Sequence, residues 1–205
     1  MEQLKQFGII PVDYSTLESV YSLSSFKDKA GFLEEKGSII RLKKGLYVVS
    51  PTITGKELSI ELIANHIYGP SYVSMESALR FYGLIPEMVY NTGSMTLKRS
   101  RKFTNSLGEF TYTSCQADYY NIGIRNEIYE DHAFLIASPE KALCDLITYT
   151  RGVRIRSVKS LQTFLQDDLR IDYESIYSMD KTIFEQSMSV SKKKSAIEYI
   201  LKLYK

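Results

Sequence analysis

The side chains best suited to catalysis form no recognisable catalytic pattern in this chain of 205 residues. His66 and His132 occur in different kinds of segment, and there is no nucleophile elbow, H-E-x-x-H pair or glycine-rich phosphate loop. Glu140, Lys141 and Asp145 have acid and base chemistry, but Lys141 and Asp145 are four residues apart, the spacing of a structural ion pair on a helix. We therefore expect no catalytic residues, no cofactor and no enzymatic activity.

The two cysteines, Cys115 and Cys144, are placed like small apolar residues rather than like ligands or disulfide partners. Neither belongs to a C-x-x-C pair, and neither stands beside a histidine. This pattern favours reduced, half-buried thiols. We expect no metal site.

Basic residues, rather than catalytic ones, are the chemically distinctive side chains of the first part of the sequence. Residues 39–49 alternate as a basic hairpin, in which Gly45 supplies the positive φ of the turn and Lys43 and Lys44 project from the tip. A helix is expected just before it, capped by Ser24 or Ser25 and closed by Gly37. Its apolar stripe leaves several polar side chains facing outward. The residues expected to contact DNA from this helix and hairpin are Ser24, Lys27, Lys29, Arg41, Lys43 and Lys44.

Short helices followed by a basic hairpin are typical of a winged helix-turn-helix. Residues 1–51 also contain two earlier segments with helical spacing, 2–7 and 14–21, enough for one small core. The net charge of residues 1–51 is only +1, from seven basic and six acidic residues, so the positive footprint is local. A solvated basic turn on a protein-binding domain is the alternative interpretation.

Two further basic runs lie outside this unit. On a strand, residues 98–102 would divide their cations between two faces, so they form one patch only if the segment twists or is a loop. They contact either phosphate or an acidic partner, or else form a solvated hairpin tip. The lysines at 192–194 precede the last helix, where cations oppose its dipole. Either an external anion sits there, or the three lysines belong to a flexible loop before the helix. The candidate partner or phosphate contacts are Lys98, Arg99, Arg101, Lys102, Lys192, Lys193 and Lys194.

Composition bounds the remaining possibilities. The hydrophobic content of 44% suffices for two modest cores, and the longest apolar run has five residues, too short for a membrane span. No secretory signal pattern opens the sequence, so we expect a cytoplasmic protein with no membrane partner. Residues 52–150 carry a net charge of −3 and residues 151–205 one of +4. This asymmetry favours a second surface for a polyanion or an acidic partner.

The remainder of the chain predicts a larger mixed domain over residues 56–205, after a short linker around Gly55. Helices are expected over 57–68 and 74–83, strands over 94–98, 109–114, 119–124 and 133–136, and a helix capped by Ser138 with Pro139 at its first position. We expect the strands to form an antiparallel sheet, and a helical tail from about residue 157. The fold class is therefore α+β, with an N-terminal winged helix-turn-helix.

Three collinear segments give the sequence a specific resemblance. Residues 37–47 read G-x-I-x-R-L-x-x-G-L-Y, residues 72–84 read Y-V-S-M-E-S-A-L-x-x-Y-G-L, and residues 137–145 read A-S-P-E-K-A-L-C-D. In order and spacing they resemble the AbiEi family of bacterial transcriptional-regulator antitoxins, from type IV toxin-antitoxin (abortive infection) systems. The resemblance covers residues 20–150, and the tail departs from it.

The resemblance implies a winged helix that represses its own operon by binding promoter repeats in duplex DNA. It also implies a second domain that neutralises a nucleotidyltransferase-like toxin encoded alongside. Two rival interpretations remain open. One is a protein-interaction module that neutralises a partner without binding DNA. The other is an enzyme of unknown type, which would require Glu140, Asp145 and His132 to share a pocket.

Overall fold

The computed structural model describes residues 2–21, 26–86, 91–129 and 131–204, and only the backbone of Phe26. Among these residues, the first unit shows three helices and a three-stranded antiparallel sheet in the order β1-β3-β2. Asp13 ends β1 and caps the next helix, because its carboxylate accepts the Thr16 N–H at 2.8 Å. The elements are α1 (Glu2–Lys5), β1 (Val12–Asp13), α2 (Tyr14–Tyr21), α3 (Phe26–Glu35), β2 (Ile39–Lys43) and β3 (Leu46–Val49).

The larger unit is built on a six-stranded sheet in the order β6-β7-β5-β4-β9-β8. This sheet is mixed: β4 runs parallel to β9 and β5 parallel to β7, while the other neighbours are antiparallel. The expectation of an antiparallel sheet is therefore wrong, because strands distant in the chain pair at its centre. The strands are β4 (Ser71–Val73), β5 (Asn91–Thr96), β6 (Arg101–Asn105), β7 (Gly108–Ser114), β8 (Ile124–Ile128) and β9 (Ala133–Ala137).

The strand expected over residues 119–124 is also wrong. Tyr119 and Tyr120 lie in a single helical turn, and both rings are buried in the core. A helical turn points adjacent side chains into one core, whereas a strand would send them to opposite faces.

Helices cover the sheet and make up the end of the chain. Ser138 caps α8, as expected, by accepting the Lys141 N–H, and Pro139 takes the first helical position. The helical tail is present and begins at Ser157, which forms a capping box with Ser160. The helices are α4 (Pro51–Thr54), α5 (Ile60–Ile67), α6 (Met75–Phe81), α7 (Ala117–Tyr120), α8 (Pro139–Tyr149), α9 (Val158–Thr163), α10 (Tyr173–Tyr177), α11 (Lys181–Val190) and α12 (Lys194–Leu203), with a π-helical turn at Phe164–Asp168.

The hairpin β2–β3 contributes to both hydrophobic cores. Ile39, Tyr47 and Val49 pack with α1, α2 and α3 in the small core. Leu42 and Val48 belong instead to the large core, which also contains residues of the six-stranded sheet. A division of the chain at residues 51–56 therefore passes through shared packing. The hairpin fixes the first unit against the second.

No helix of the described residues is long and apolar enough to cross a lipid bilayer.

Candidate nucleic-acid interface

The turn of the hairpin places its two lysines differently. Lys44 is exposed in the turn between β2 and β3. Lys43 is the last residue of β2, and its Nζ donates a hydrogen bond to the carbonyl oxygen of Ile67 at 2.5 Å. The expectation that both lysines project from the tip is therefore wrong for Lys43, because this carbonyl at the end of α5 draws its side chain inward.

Edge strand β6 of the large sheet lies against the hairpin. Asn105 donates a hydrogen bond from Nδ2 to the carbonyl oxygen of Leu42 at 3.0 Å. This contact brings the basic run 98–102 beside the turn of the hairpin. Two segments that are more than fifty residues apart in the sequence thus share one surface.

A basic cleft of about 650 Å³ opens at this junction. Its floor includes Tyr68 and Phe103, whose ring centroids are 5.6 Å apart. Lys98 Nζ lies 5.2 Å from the centre of the Tyr68 ring, and the Arg101 guanidinium lies 5.0 Å from that of Phe103. These are cation–π distances, so the aromatic floor holds the cations in place. The cations that line the cleft are Lys43, Lys44, Lys98, Arg101 and Lys102.

The cations of the cleft repel one another. Burial, together with the charges of Lys98 and Arg101, lowers the pKa of Lys43. An ion pair with Glu109 balances Lys102. Like charges gathered in this way oppose folding, and an anionic ligand would remove the repulsion. The cleft is suited to phosphate.

The basic run 98–102 is neither a flat strand face nor a free hairpin tip. Lys98 and Arg99 lie in the connection after β5, whereas Arg101 and Lys102 open β6. The connection lets Lys98 and Arg101 meet over the same ring, that of Tyr68. Arg99 is exposed and does not line the cleft.

The candidate residues of the helix and hairpin have different surroundings. Lys27 on α3 is exposed, and the Nζ of Lys29 lies 5.3 Å from the centre of the Phe32 ring. Arg41 forms an ion pair with Glu34 of α3 at 2.6 Å, which ties the hairpin to the helix. Ser24 lies outside the described residues.

A second basic cleft of about 560 Å³ lies before α12. Lys192 and Lys194 are exposed beside it, and Arg154 and Arg156 also line it. Lys193 is half-buried, and its Nζ donates to the carbonyl oxygens of Ile147 and Val153 at 2.7 and 3.0 Å. The run at 192–194 therefore divides into one structural lysine and two available cations.

Lys141 and Asp145 form a buried ion pair rather than an acid–base site. Both side chains have 0% exposure, and Lys141 Nζ lies 3.1 Å from Asp145 Oδ1. Asp145 Oδ2 accepts hydrogen bonds from Ser74 at 2.6 Å and from Tyr72 at 3.1 Å. Lys141 also donates to the carbonyl oxygen of Tyr119 at 2.8 Å. Burial raises the pKa of Asp145 and lowers that of Lys141.

This buried network joins two of the segments that carry the family resemblance. Tyr72 and Ser74 come from residues 72–84, and Lys141 and Asp145 from residues 137–145. Ser74 is the N-cap residue of α6, but it makes no side-chain cap hydrogen bond, since its hydroxyl is donated to Asp145. These segments therefore hold the large unit together.

Three other side chains that could take part in catalysis, one histidine and two cysteines, either have separate contacts or are buried. His132 is stacked on Tyr129 and contacts Asp131, neither of which belongs to the buried network around Asp145. Cys115 and Cys144 are free and buried, and burial raises the pKa of each thiol to about 12.

Tyr68 and Phe103 are the site residues that the sequence reasoning missed. Tyr68 directly follows α5, and Phe103 is flanked in β6 by exposed side chains. The sequence did offer one signal for Phe103, because this aromatic residue directly follows the cations Arg101 and Lys102. Tyr68 gave no comparable signal, because its neighbours in the cleft come from distant segments.

No protein-family model and no curated protein sequence matches this chain.

Proposed function

We propose that this protein is a cytoplasmic, DNA-binding transcriptional autorepressor, with residues 1–51 acting as a winged helix. The observation that carries the proposal is the basic cleft, in which cations of the hairpin and of the large sheet converge on an aromatic floor. In this proposal α3 enters the major groove, with Lys27 and Lys29 nearest the bases. The turn at Lys44 follows the adjacent phosphates.

The larger unit extends the DNA footprint beyond the winged helix. The net charge of residues 1–51 is only +1, which is small for a DNA-binding unit. Lys98 and Arg101 add positive charge beside the turn, and the Asn105 contact holds β6 there. The Arg101 guanidinium lies 5.0 Å from the centre of the Phe103 ring, and its planar fork of donors loses little freedom on binding phosphate.

Fluorescence anisotropy with a labelled duplex from the region upstream of the gene tests this proposal. We expect a triple variant, Lys44→Ala with Lys98→Ala and Arg101→Ala, to weaken binding to all duplexes. Each lost phosphate contact should reduce the slope of log K against log salt by about 0.9. Lys43 is left intact, because its hydrogen bond to Ile67 makes it part of the fold.

The matched control also removes three exposed cations, Arg151→Ala with Lys159→Ala and Lys181→Ala, none of which lines the basic cleft. It should bind with nearly the parental salt slope. Equal losses in the two triple variants would mean that net charge, not the cleft, drives binding. If the parental protein binds no upstream duplex in a salt-dependent way, the interaction-module alternative replaces the proposal.

We further propose that the large unit acts as the antitoxin against a nucleotidyltransferase-like toxin encoded alongside. The resemblance of residues 72–84 and 137–145 to the AbiEi family supports this part. Lys192 and Lys194, exposed beside the second basic cleft, are the contacts that we assign to an acidic surface of that partner.

Co-expression with the adjacent gene product tests the proposed antitoxin role. The parental chain should restore growth, and the double variant Lys192→Glu with Lys194→Glu should not. Equal rescue by this charge-reversal variant would remove these lysines from the contact.

A further inference from the structure

The two edges of the six-stranded sheet are in different situations. At one end, β6 is covered by the hairpin. At the other end is β8, and no strand within the described parts of the chain pairs with its outer side. Ile128, the last residue of β8, is 75% exposed, and Leu135 on the neighbouring strand is 39% exposed. An open edge with exposed apolar side chains is a template for pairing with another strand.

The hydrogen bonds of β8 define which backbone groups face outward. Ser138 donates its N–H to the carbonyl oxygen of Gly123, and Tyr129 donates to that of His132. In the antiparallel register of β8 and β9, odd-numbered residues of β8 therefore turn their N–H and C=O groups toward β9. The outward groups belong to Ile124, Asn126 and Ile128.

The sequence of β8 is self-complementary when two copies run antiparallel. The strand reads Ile-Arg-Asn-Glu-Ile from residue 124 to residue 128. With Asn126 opposite Asn126, Arg125 faces Glu127 of the second copy and Glu127 faces its Arg125. Ile124 and Ile128 are likewise opposite each other.

The backbone and the side chains agree on this register. Centred on Asn126, the three outward residues form the hydrogen-bonded pairs of an antiparallel ladder. Arg125 and Glu127 then fall at non-hydrogen-bonded pairs, where opposite side chains approach most closely. Charged side chains usually protect an edge strand because they repel a second copy. Here their mixed signs attract it. Both side chains also contact Tyr82 of their own chain: its hydroxyl donates to Glu127 Oε1 at 3.0 Å, and its ring centre lies 5.7 Å from the Arg125 guanidinium.

We propose that β8 is a dimerisation edge, on which a second copy of this chain pairs antiparallel about Asn126. The result is a continuous twelve-stranded sheet with a twofold axis, in which Ile128 is covered by Ile124 of the second copy. The basic clefts lie at the two far ends of this sheet, beside β6. This inference does not depend on DNA binding.

Analytical ultracentrifugation of the full chain from about 1 to 100 μM, the range in which dimers of modest affinity assemble, tests the proposal. We expect the mass to approach twice the 23.5 kDa of one chain. Arg125→Glu and Glu127→Arg, made separately, each place like charges opposite one another and should weaken the dimer by about tenfold or more. Mixing the two variants should restore a dimer, because each then faces its complement.

Asn126→Pro provides an independent disruption. Its N–H faces outward, so proline removes a hydrogen bond of the proposed dimer and none to β9; proline is tolerated on edge strands. Thermal melts followed by circular dichroism verify that each variant is folded. A parental chain that stays monomeric across this range overturns the proposal. So does a dimer that survives both charge variants, or a mixture of folded variants that fails to associate.

Discussion

Replacing Lys141 by methionine tests whether the buried network holds the large unit together. Methionine fills most of the volume of the lysine side chain, but it removes the ammonium group 3.1 Å from Asp145 Oδ1. It also leaves the carbonyl oxygen of Tyr119 without the donor at 2.8 Å. The variant thus isolates a buried charge without creating a large cavity.

The expected loss in the free energy of unfolding depends on the hydrogen bonds that Asp145 keeps in the Lys141→Met variant. Removing one partner of a buried ion pair costs about 3–5 kcal/mol. Asp145 still accepts hydrogen bonds from Ser74 and Tyr72, so we expect the lower end, about 3 kcal/mol in the free energy of unfolding. With a urea m-value of about 2 kcal/mol/M, the midpoint should fall by about 1 to 2 M.

The cost should depend on pH in a defined direction. Burial already raises the pKa of Asp145, and losing the ammonium group of Lys141 raises it further. A carboxyl group whose folded pKa is raised stabilises the fold below its unfolded pKa, and that stability is lost as pH rises through the folded pKa. The deficit should therefore be largest at neutral pH and shrink as pH falls toward about 4.

Urea unfolding followed by far-ultraviolet circular dichroism, at neutral and mildly acidic pH, measures both effects. Lys159→Met is the control, because this lysine is exposed on α9 and the same substitution there should stay within about 0.5 kcal/mol. A cost for Lys141→Met below about 1 kcal/mol, or one that does not change with pH, would refute this account of the network.

Three further outcomes follow from the placement of the basic residues and the hairpin. Lys44→Ala should lower the salt slope of DNA binding by about one without changing the melting temperature, whereas Lys43→Ala should also cost about 1–2 kcal/mol in urea unfolding. Fragment 56–205 lacks the hairpin side chains of the large core and should melt well below the full chain by circular dichroism; an equal melting temperature would show that the hairpin contributes little. Lys193→Met should destabilise the protein by about 1–2 kcal/mol in urea, while Lys192→Ala should be neutral.

The structural features that could be predicted are those set by neighbouring residues, such as the starts and ends of helices. Ser138 and Pro139 start α8 as their types require, because capping and a missing N–H act within one turn. Gly83 takes a positive φ of 70° after α6, the conformation that closes a helix. The cap at Ser74 was predicted at the right position with the wrong hydrogen bond. Its partner, Asp145, lies 71 residues away, and nothing local indicates it.

The strand order and direction of the six-stranded sheet could not be predicted, because they depend on pairing between strands that are distant in the sequence. The parallel pairs β4–β9 and β5–β7 join strands that hairpin rules do not connect, so alternation alone favoured an antiparallel arrangement. The basic cleft could not be predicted for the same reason. The cations of 43–44 and 98–102 were visible as two runs, but only the contact between β2 and β6 makes them one surface.

The buried network and the proposed DNA contacts involve different residues of this chain. The segments 72–84 and 137–145 contribute Tyr72, Ser74 and Asp145 to a fully buried network, so their resemblance to the AbiEi family bears first on the fold. Most of the proposed DNA contacts, Lys27, Lys44, Lys98 and Arg101, are exposed cations, which cost little to replace. Stability and DNA binding should therefore be separable: the triple variant of the cleft should unfold like the parental chain, and Lys141→Met should lose binding only where it unfolds.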